Sequence, residues 1–235
     1  MKKSLLALAA ALAATAIPSV SFADGLSFNV GAVTDYRYRG ISQTRAKPAL
    51  QGGLDYSAGG FYVGAWGSTI QWLKDAGGDA DLELDFYGGY KFEPTKGLTV
   101  DLGVLRYQYP SHKVAPSPNT TELYGAVTYG PVTAKYSHAT SNLFGFADSS
   151  GSGYFDLSAG FEVAGFTVTP HIGHQKVKNV AGASYTDYSL AVSKDFNGLV
   201  VSGTIVGTDT DAYTSPKNGK NLGKTTLVLG VKYNF

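Results

Sequence analysis

The chain has 235 residues, 43% of them hydrophobic and 13% aromatic, with 19 basic and 18 acidic residues and no cysteine. The lack of thiols excludes disulfide staples and cysteine-ligated metal or redox centres. The balance of charge leaves no basic excess for nucleic acid or an anionic membrane surface.

The first residues, Met1-Lys2-Lys3, precede an apolar run from Leu5 to Ala14 and then Ser21-Phe22-Ala23. A charged region, an apolar core and a small-x-small site in that order predict a secretory signal peptide over residues 1–23, cleaved after Ala23. The apolar run is too short to cross a bilayer as a helix. Residues 24–235 are then a single exported domain. Its 30 glycines and 16 tyrosines suit a sheet protein with aromatic belts, and the hydrophobic fraction argues against a disordered glycine-rich chain.

Alternation of apolar and polar residues begins at once. In Leu26 to Arg39, Leu26, Phe28, Val30, Ala32, Tyr36 and Tyr38 fall on one face, and Ser27, Asn29, Gly31, Asp35, Arg37 and Arg39 on the other. The polar segment from Gly40 to Lys47 reads as a loop. Strands follow near Ala49–Ser57 and Phe61–Ile70, the second with ambiguous faces. Asp81 to Phe92 is the clearest case, with Leu82, Leu84, Phe86, Tyr90 and Phe92 opposite Asp81, Glu83, Asp85, Tyr87 and Lys91. Charge at nearly every second position does not belong in a dry core. Leu98 to Tyr109 starts with even-numbered residues outward, and its pattern changes parity near Leu105, which a β-bulge explains.

Further strands are expected at Thr121–Tyr129, Val132–Thr140, Tyr154–Val163, Phe166–Gln175, Tyr185–Phe196, Leu199–Thr208 and Thr225–Phe235, with Asn197-Gly198 a strong hairpin signal. The total is about twelve strands of about ten residues, the length that spans a bilayer when tilted. Long polar connections alternate with turns of about two to five residues, as in barrels with long external loops and short periplasmic turns. The last strand ends on Phe235, which resembles the terminal signature read by the barrel-assembly machinery. The expectation is an all-β, antiparallel up-and-down transmembrane barrel in the outer membrane. Lipid contacts its apolar face, and Tyr36, Tyr38, Tyr90, Phe92, Tyr129, Phe161, Tyr233 and Phe235 form its aromatic girdles.

Three blocks near the start carry a family resemblance: Arg39-Gly40-Ile41-Ser42-Gln43-Thr44, Pro48 to Tyr56, and Phe61 to Ser68, with Asp85-Phe86-Tyr87-Gly88-Gly89-Tyr90 a fourth. They are similar to the N-terminal hallmark of the TorF-type putative porins. The resemblance implies an outer-membrane barrel acting as a porin, and supplies no substrate or catalytic residue.

In such a barrel, chemistry lies in the lumen and the loops. The charged residues expected to line the lumen are Asp35, Arg37, Arg39, Asp55, Asp81, Glu83, Asp85, Lys91, Glu122, Lys135, Asp156, Glu162, Asp187 and Lys232, with Asp101 and Asp195 in the same register. Asp81, Glu83 and Asp85 form a carboxylate ladder on one wall, and Arg37 and Arg39 a cationic stripe on another. Either these walls set up a transverse field that selects solutes by charge, or the groups pair across the lumen and hold it shut. The segment from Arg39 to Thr44 either folds inward as a constriction or stays a surface loop. Acids exceed bases, so the expected function is passive diffusion of small hydrophilic solutes with a weak cation preference. A non-conducting surface-binding barrel is the alternative, and an outer-membrane hydrolase a remote one. Of the four histidines, His171 is expected to point inward and could meet a serine across strands, but nothing in the sequence marks one. No cofactor, metal site, catalytic residue or nucleic-acid partner is expected.

Overall fold

The computed structural model describes residues 24–235. The expected signal peptide, residues 1–23, lies outside them.

One antiparallel sheet closes on itself. Its strands are β1 (Gly25–Val33), β4 (Ala49–Ala58), β5 (Phe61–Thr69), β6 (Leu82–Thr95), β7 (Leu98–Gln108), β8 (Thr120–Tyr129), β9 (Val132–Ala139), β10 (Gly153–Ala159), β11 (Phe161–Val163), β12 (Phe166–Lys176), β13 (Tyr185–Phe196), β14 (Leu199–Thr208) and β15 (Thr226–Asn234). β10 and β11 both pair with β12 and are two halves of one stave, interrupted at Gly160. The staves therefore number twelve. The seam closes where β1 pairs with β15, Val30 opposite Tyr233 and Val33 opposite Gly230. Closure leaves no unpaired edge, the condition a hydrocarbon solvent imposes on a sheet.

The period of two sets the two faces. Leu50, Phe61, Val63, Leu102, Leu123, Ile172, Ile205, Leu227 and Leu229 all point outward and are more than half exposed. A continuous apolar belt of this kind far exceeds what a protein presents to water, and it marks a surface made for another apolar phase. Tyr90, Phe92, Tyr129, Phe161, Tyr233 and Phe235 also point outward, all near the end of the barrel that carries the short turns. Tyr90 packs on Phe61 at 4.5 Å and Phe92 at 5.8 Å, and Tyr233 on Phe235 at 4.8 Å.

Tyr36 and Tyr38 are not in a girdle: they are 4% and 9% exposed and lie inside the barrel. β1 stops at Val33, and the chain beyond it turns inward. Asp81 likewise leaves the lumen set, because β6 begins at Leu82 and Asp81 sits in the loop before it, exposed and paired with Lys74 at 3.0 Å. β7 has no parity change. Its odd residues, Leu105 and Tyr107 included, point inward along its whole length, and its register with β6 shifts instead at Phe92/Thr95. Apolar residues are buried there because the upper lumen is a packed core rather than a water channel.

Candidate functional site

The connection from β1 to β4 builds that core. Asp35 organises it. Its Oδ2 accepts from Arg37 Nε at 2.6 Å, and its Oδ1 from Ser42 Oγ at 2.5 Å and Thr44 Oγ1 at 3.1 Å. Four residues of one short segment thus fold on themselves. Between them run β2 (Arg37–Tyr38) and β3 (Ile41–Ser42), a two-stranded hairpin. Its tip is Arg39-Gly40, with φ of 45° and 79°, the positive pair of a type I′ turn. A Cβ on Gly40 would stand 2.6 Å from Thr208 Cγ2 and 2.8 Å from Asp187 Cβ. Gly40→Val is therefore expected to unseat the tip while leaving the barrel folded. Limited proteolysis of the 34–48 segment checks this, with cleavage appearing in the variant only.

The hairpin crosses the lumen at the loop end and is tied to several walls by side chains. Tyr36 donates to Glu83 Oε1 of β6 at 2.6 Å, and Tyr109 to Oε2 of the same carboxylate at 2.7 Å. The Tyr38 hydroxyl bonds that of Tyr107 on β7 at 2.8 Å. Arg39 reaches the far side: Nη2 donates to Glu122 Oε2 of β8 at 2.8 Å, and Nη1 to Gln175 Oε1 of β12 at 2.6 Å. Its guanidinium also lies 4.1 Å from the centre of the Tyr154 ring on β10, a cation–π contact. Arg37 donates to the Leu222 carbonyl at 2.6 Å and that of Gly40 at 3.0 Å. Both arginines are only 3% exposed, and each is paired with a buried carboxylate, Arg37 with Asp35 of its own segment and Arg39 with Glu122 of the wall, as burial demands.

A second polar cluster stands beside the tip. His171 Nε2 lies 2.7 Å from Asp156 Oδ2, its Nδ1 3.6 Å from Asp187 Oδ1, and Tyr154 donates to Asp187 Oδ2 at 2.9 Å. Ser189 is the cross-strand partner of His171, yet its hydroxyl makes no hydrogen bond among the described residues. The histidine is held by carboxylates and does not form a Ser–His pair. His174 points outward to Thr186. Among the described residues no cluster of three or more His, Asp or Glu is arranged to hold a metal ion. Asp85 differs from its neighbours: it is 1% exposed and neither carboxylate oxygen finds a partner among the described residues.

Below the hairpin the lumen opens. Lys91, Asp101, Thr128, Lys135 and Lys232 face inward and keep partial exposure. Tyrosines brace this layer. Tyr87 donates to Asp55 at 2.6 Å, Tyr62 to Asp101 at 2.7 Å, and the Tyr62 and Tyr124 hydroxyls touch. Lys91 lies 3.6 Å from Asp101, and Lys135 4.0 Å from the centre of the Tyr124 ring. A Cβ on Gly103 would stand 2.5 Å from Tyr124 Cζ, so that glycine makes room for the ring. Glu162 sits on the lumen side of the turn-end rim, exposed, and accepts from Thr167 Oγ1 at 2.6 Å.

The residues expected in the lumen thus divide into levels. Glu83, Asp85, Glu122 and Asp187 lie on the wall at hairpin height, and Asp156 stands beside them, directly across from Lys135. Asp55, Lys91, Lys135 and Lys232 lie lower down. Asp35, Arg37 and Arg39 are on the hairpin, so the cationic stripe belongs to the plug and not to a wall. The carboxylate ladder keeps Glu83 and Asp85 and loses Asp81. Sequence reasoning missed Tyr107, Tyr109, Tyr154 and Gln175. Arg39-Gly40 between Tyr38 and Ile41, a two-residue turn flanked by an apolar pair, is the local signal of the hairpin itself and marks none of these distant partners.

No curated protein matches the sequence. Among solved structures, one from work on in-meso crystallisation of membrane proteins aligns over 89% of this chain and 83% of its own, with TM-score 0.53 and 7% identity, a likeness of fold alone. A porin refined at 1.8 Å aligns with TM-score 0.41 and 22% identity over 80% of this chain, which spans 62% of that porin. Pseudomonas aeruginosa OccK5 (OpdH) gives TM-score 0.42 and 15% identity, over 89% of this chain and 67% of its own. These last two likenesses are too weak to carry an argument. A family model matches residues 18–235, nearly the whole chain, and on that match the protein belongs to Gcw_chp, a family of bacterial proteins of unknown function.

Proposed function

We propose that this barrel is an outer-membrane channel for small hydrophilic solutes, held closed by the Asp35–Thr44 hairpin, with its long loops outside and its short turns in the periplasm. The observation that carries the reading is the way the hairpin is bonded. Asp35, Arg37, Ser42 and Thr44 hold it together internally, while Tyr36, Tyr38 and Arg39 supply its side-chain bonds to the facing strands. Further bonds fasten it to the loops, Ser42 N–H and Arg37 on the Leu222 carbonyl and the Gln43 carbonyl accepting from Gln71 and Trp72 N–H, so a segment that keeps its own shape moves as a unit when this set is released together. Beneath it lies a water-accessible lumen and above it the loop mouth, so one displacement joins the two. Lipid is the partner of the outward belt, and Tyr233 with Phe235 the contact offered to the assembly machinery. The reading assigns no cofactor and no catalysis.

Selectivity in this reading leans to cations, since Glu83, Asp85, Glu122, Asp156 and Asp187 remain on the wall when the hairpin and its arginines withdraw. Asp85, with unused acceptors, is the natural first ligand for a passing cation. In planar bilayers under a salt gradient, Asp85→Asn and Glu83→Gln are expected to move the reversal potential toward zero, and Asp81→Asn to leave it unchanged. An effect of Asp81→Asn equal to the others would sink this assignment. The second reading, a non-conducting barrel, is favoured by one observation: the Arg39–Glu122 pair is buried and fully bonded. Complete electrical silence of the wild type across voltage and salt would select it.

A further inference from the structure

In the loop-end half of the barrel the staves sort their charge by face. Glu83, Asp85, Glu122, Asp156 and Asp187 all point into the lumen. The ionisable side chains that point outward there are Arg106, His138, His174 and Lys176, and no stave carboxylate among the described residues joins them. Outward residues of a membrane barrel meet lipid, so bases alone stand where the apolar belt gives way to headgroups.

These bases concentrate on β9, β10 and β12, where two successive cross-strand rows change character. Tyr136, Phe155 and His174 form one row, and His138, Gly153 and Lys176 the next toward the loops. A side chain on Gly153 would collide with the Tyr136 hydroxyl, so that hydroxyl fills the middle of the basic row. Lys178, in the loop after β12, joins it. Its backbone N–H donates to Ser152 Oγ at 2.9 Å. A Cβ on Gly151 would stand 3.2 Å from Lys178 Nζ and 3.9 Å from His138 Cε1. Tyr136, His138, Lys176 and Lys178 are all exposed, and their polar ends form no hydrogen bond or ion pair among the described residues. The loops above carry Asp148, Asp209 and Asp211, which Lys217, Lys220 and Lys224 of the same loops match in charge. Directly below the basic row, Phe155, Leu157 and Ile172 are 48%, 38% and 51% exposed.

We propose that this face binds a lipid bearing a phosphomonoester, its phosphate among Tyr136, His138, Lys176 and Lys178 and its acyl chains along Phe155, Leu157 and Ile172. Ammonium groups and a hydroxyl donate to phosphate in charge-assisted bonds, and two lysines match the roughly two charges of a phosphomonoester. No outward stave carboxylate is there to pair with an amine, which disfavours a zwitterionic headgroup. The lipid belongs to the leaflet around the loop end, which the channel reading makes the outer one. The inference rests on the membrane-barrel part of that reading and not on conduction, since a silent barrel would bind equally well.

The test is native mass spectrometry of the folded protein in detergent. The probes are dioleoyl phosphatidic acid, dioleoyl phosphatidylethanolamine, dioleoylglycerol and inorganic phosphate. Phosphatidic acid should bind saturably and at least about tenfold more tightly than the other two lipids, and equimolar inorganic phosphate should not displace it. Lys176→Gln combined with Lys178→Gln should weaken phosphatidic acid by roughly ten- to thirtyfold and leave dioleoylglycerol unchanged. Lys194→Gln, at the outward lysine over Phe166 and Phe196 near the turn end, should change nothing. Heat-modified mobility confirms that each variant is folded. Equal retention of phosphatidic acid and phosphatidylethanolamine would overturn the site, as would binding indifferent to the double substitution. Displacement by equimolar inorganic phosphate would overturn the lipid as the source of the phosphate. Conductance, measured separately, decides the channel reading and leaves this result untouched.

Discussion

Replacing residues 36–44 by a short Gly-Ser link is expected to turn a sealed barrel into a permeable one. In the liposome-swelling assay the wild type should admit small sugars slowly, and the excised protein should admit them freely. The physical reason is that the hairpin crosses the upper lumen and packs there with Leu105, Tyr107, Tyr109 and Phe144. Leu105, Tyr107 and Tyr109 point inward because the hairpin is there to pack against. A barrel of eight strands is filled by its own side chains and one of sixteen holds an aqueous channel, so twelve staves without a plug leave room for small solutes. The barrel itself should survive excision. Its ladders join β1 to β4 and run on round to β15 and back to β1, and none includes β2 or β3 of the hairpin. Heat-modified mobility on gels, the usual sign of a folded barrel, should be unchanged. If mobility holds and permeability does not rise, something other than the hairpin closes the lumen.

The second large effect is expected from Arg39→Ala. That substitution leaves Glu122 buried at 2% exposure with its counter-ion gone and removes the guanidinium from Tyr154 and Gln175. Breaking one partner of a buried pair costs about 3–5 kcal/mol. Here the cost falls on the seated hairpin and not on the barrel, because a displaced hairpin lets water reach Glu122. At about 1.4 kcal/mol per factor of ten, the displaced population should rise at least about a hundredfold. Open probability in planar bilayers reads this directly. Arg39→Lys keeps the charge without the planar fork that serves Glu122 and Gln175 together, so it should fall between. Equal open probability in wild type and Arg39→Ala would mean the pair does not latch the hairpin.

Most of the barrel was legible because lipid and water divide the two faces of every stave, and alternation at a period of two records that division. Asn197-Gly198 marked its turn because both residues take positive φ there. The hairpin was hidden by the same rule. Asp35-Tyr36-Arg37-Tyr38-Arg39 alternates polar and aromatic residues as a stave does, so the eye carries β1 six residues too far. Its tyrosines then look like girdle members, although inside the barrel Tyr36 donates to the Glu83 carboxylate and Tyr38 to the Tyr107 hydroxyl. Leu105, Tyr107 and Tyr109 look misphased for the complementary reason: their inward face meets protein, not water. Asp81 shows the limit at a strand end, where one residue decides between lumen and loop. Pairings such as Arg39 with Glu122 join residues 83 positions apart, and no local pattern encodes them.

The central claim is that one hairpin separates two parts of a single lumen. Single-channel recording of the wild type beside the excised protein tests it most directly. The account predicts rare, discrete wild-type openings whose unitary conductance equals the steady level of the excised protein. An excised protein that stays silent, or a wild type already open at that steady level, would contradict it.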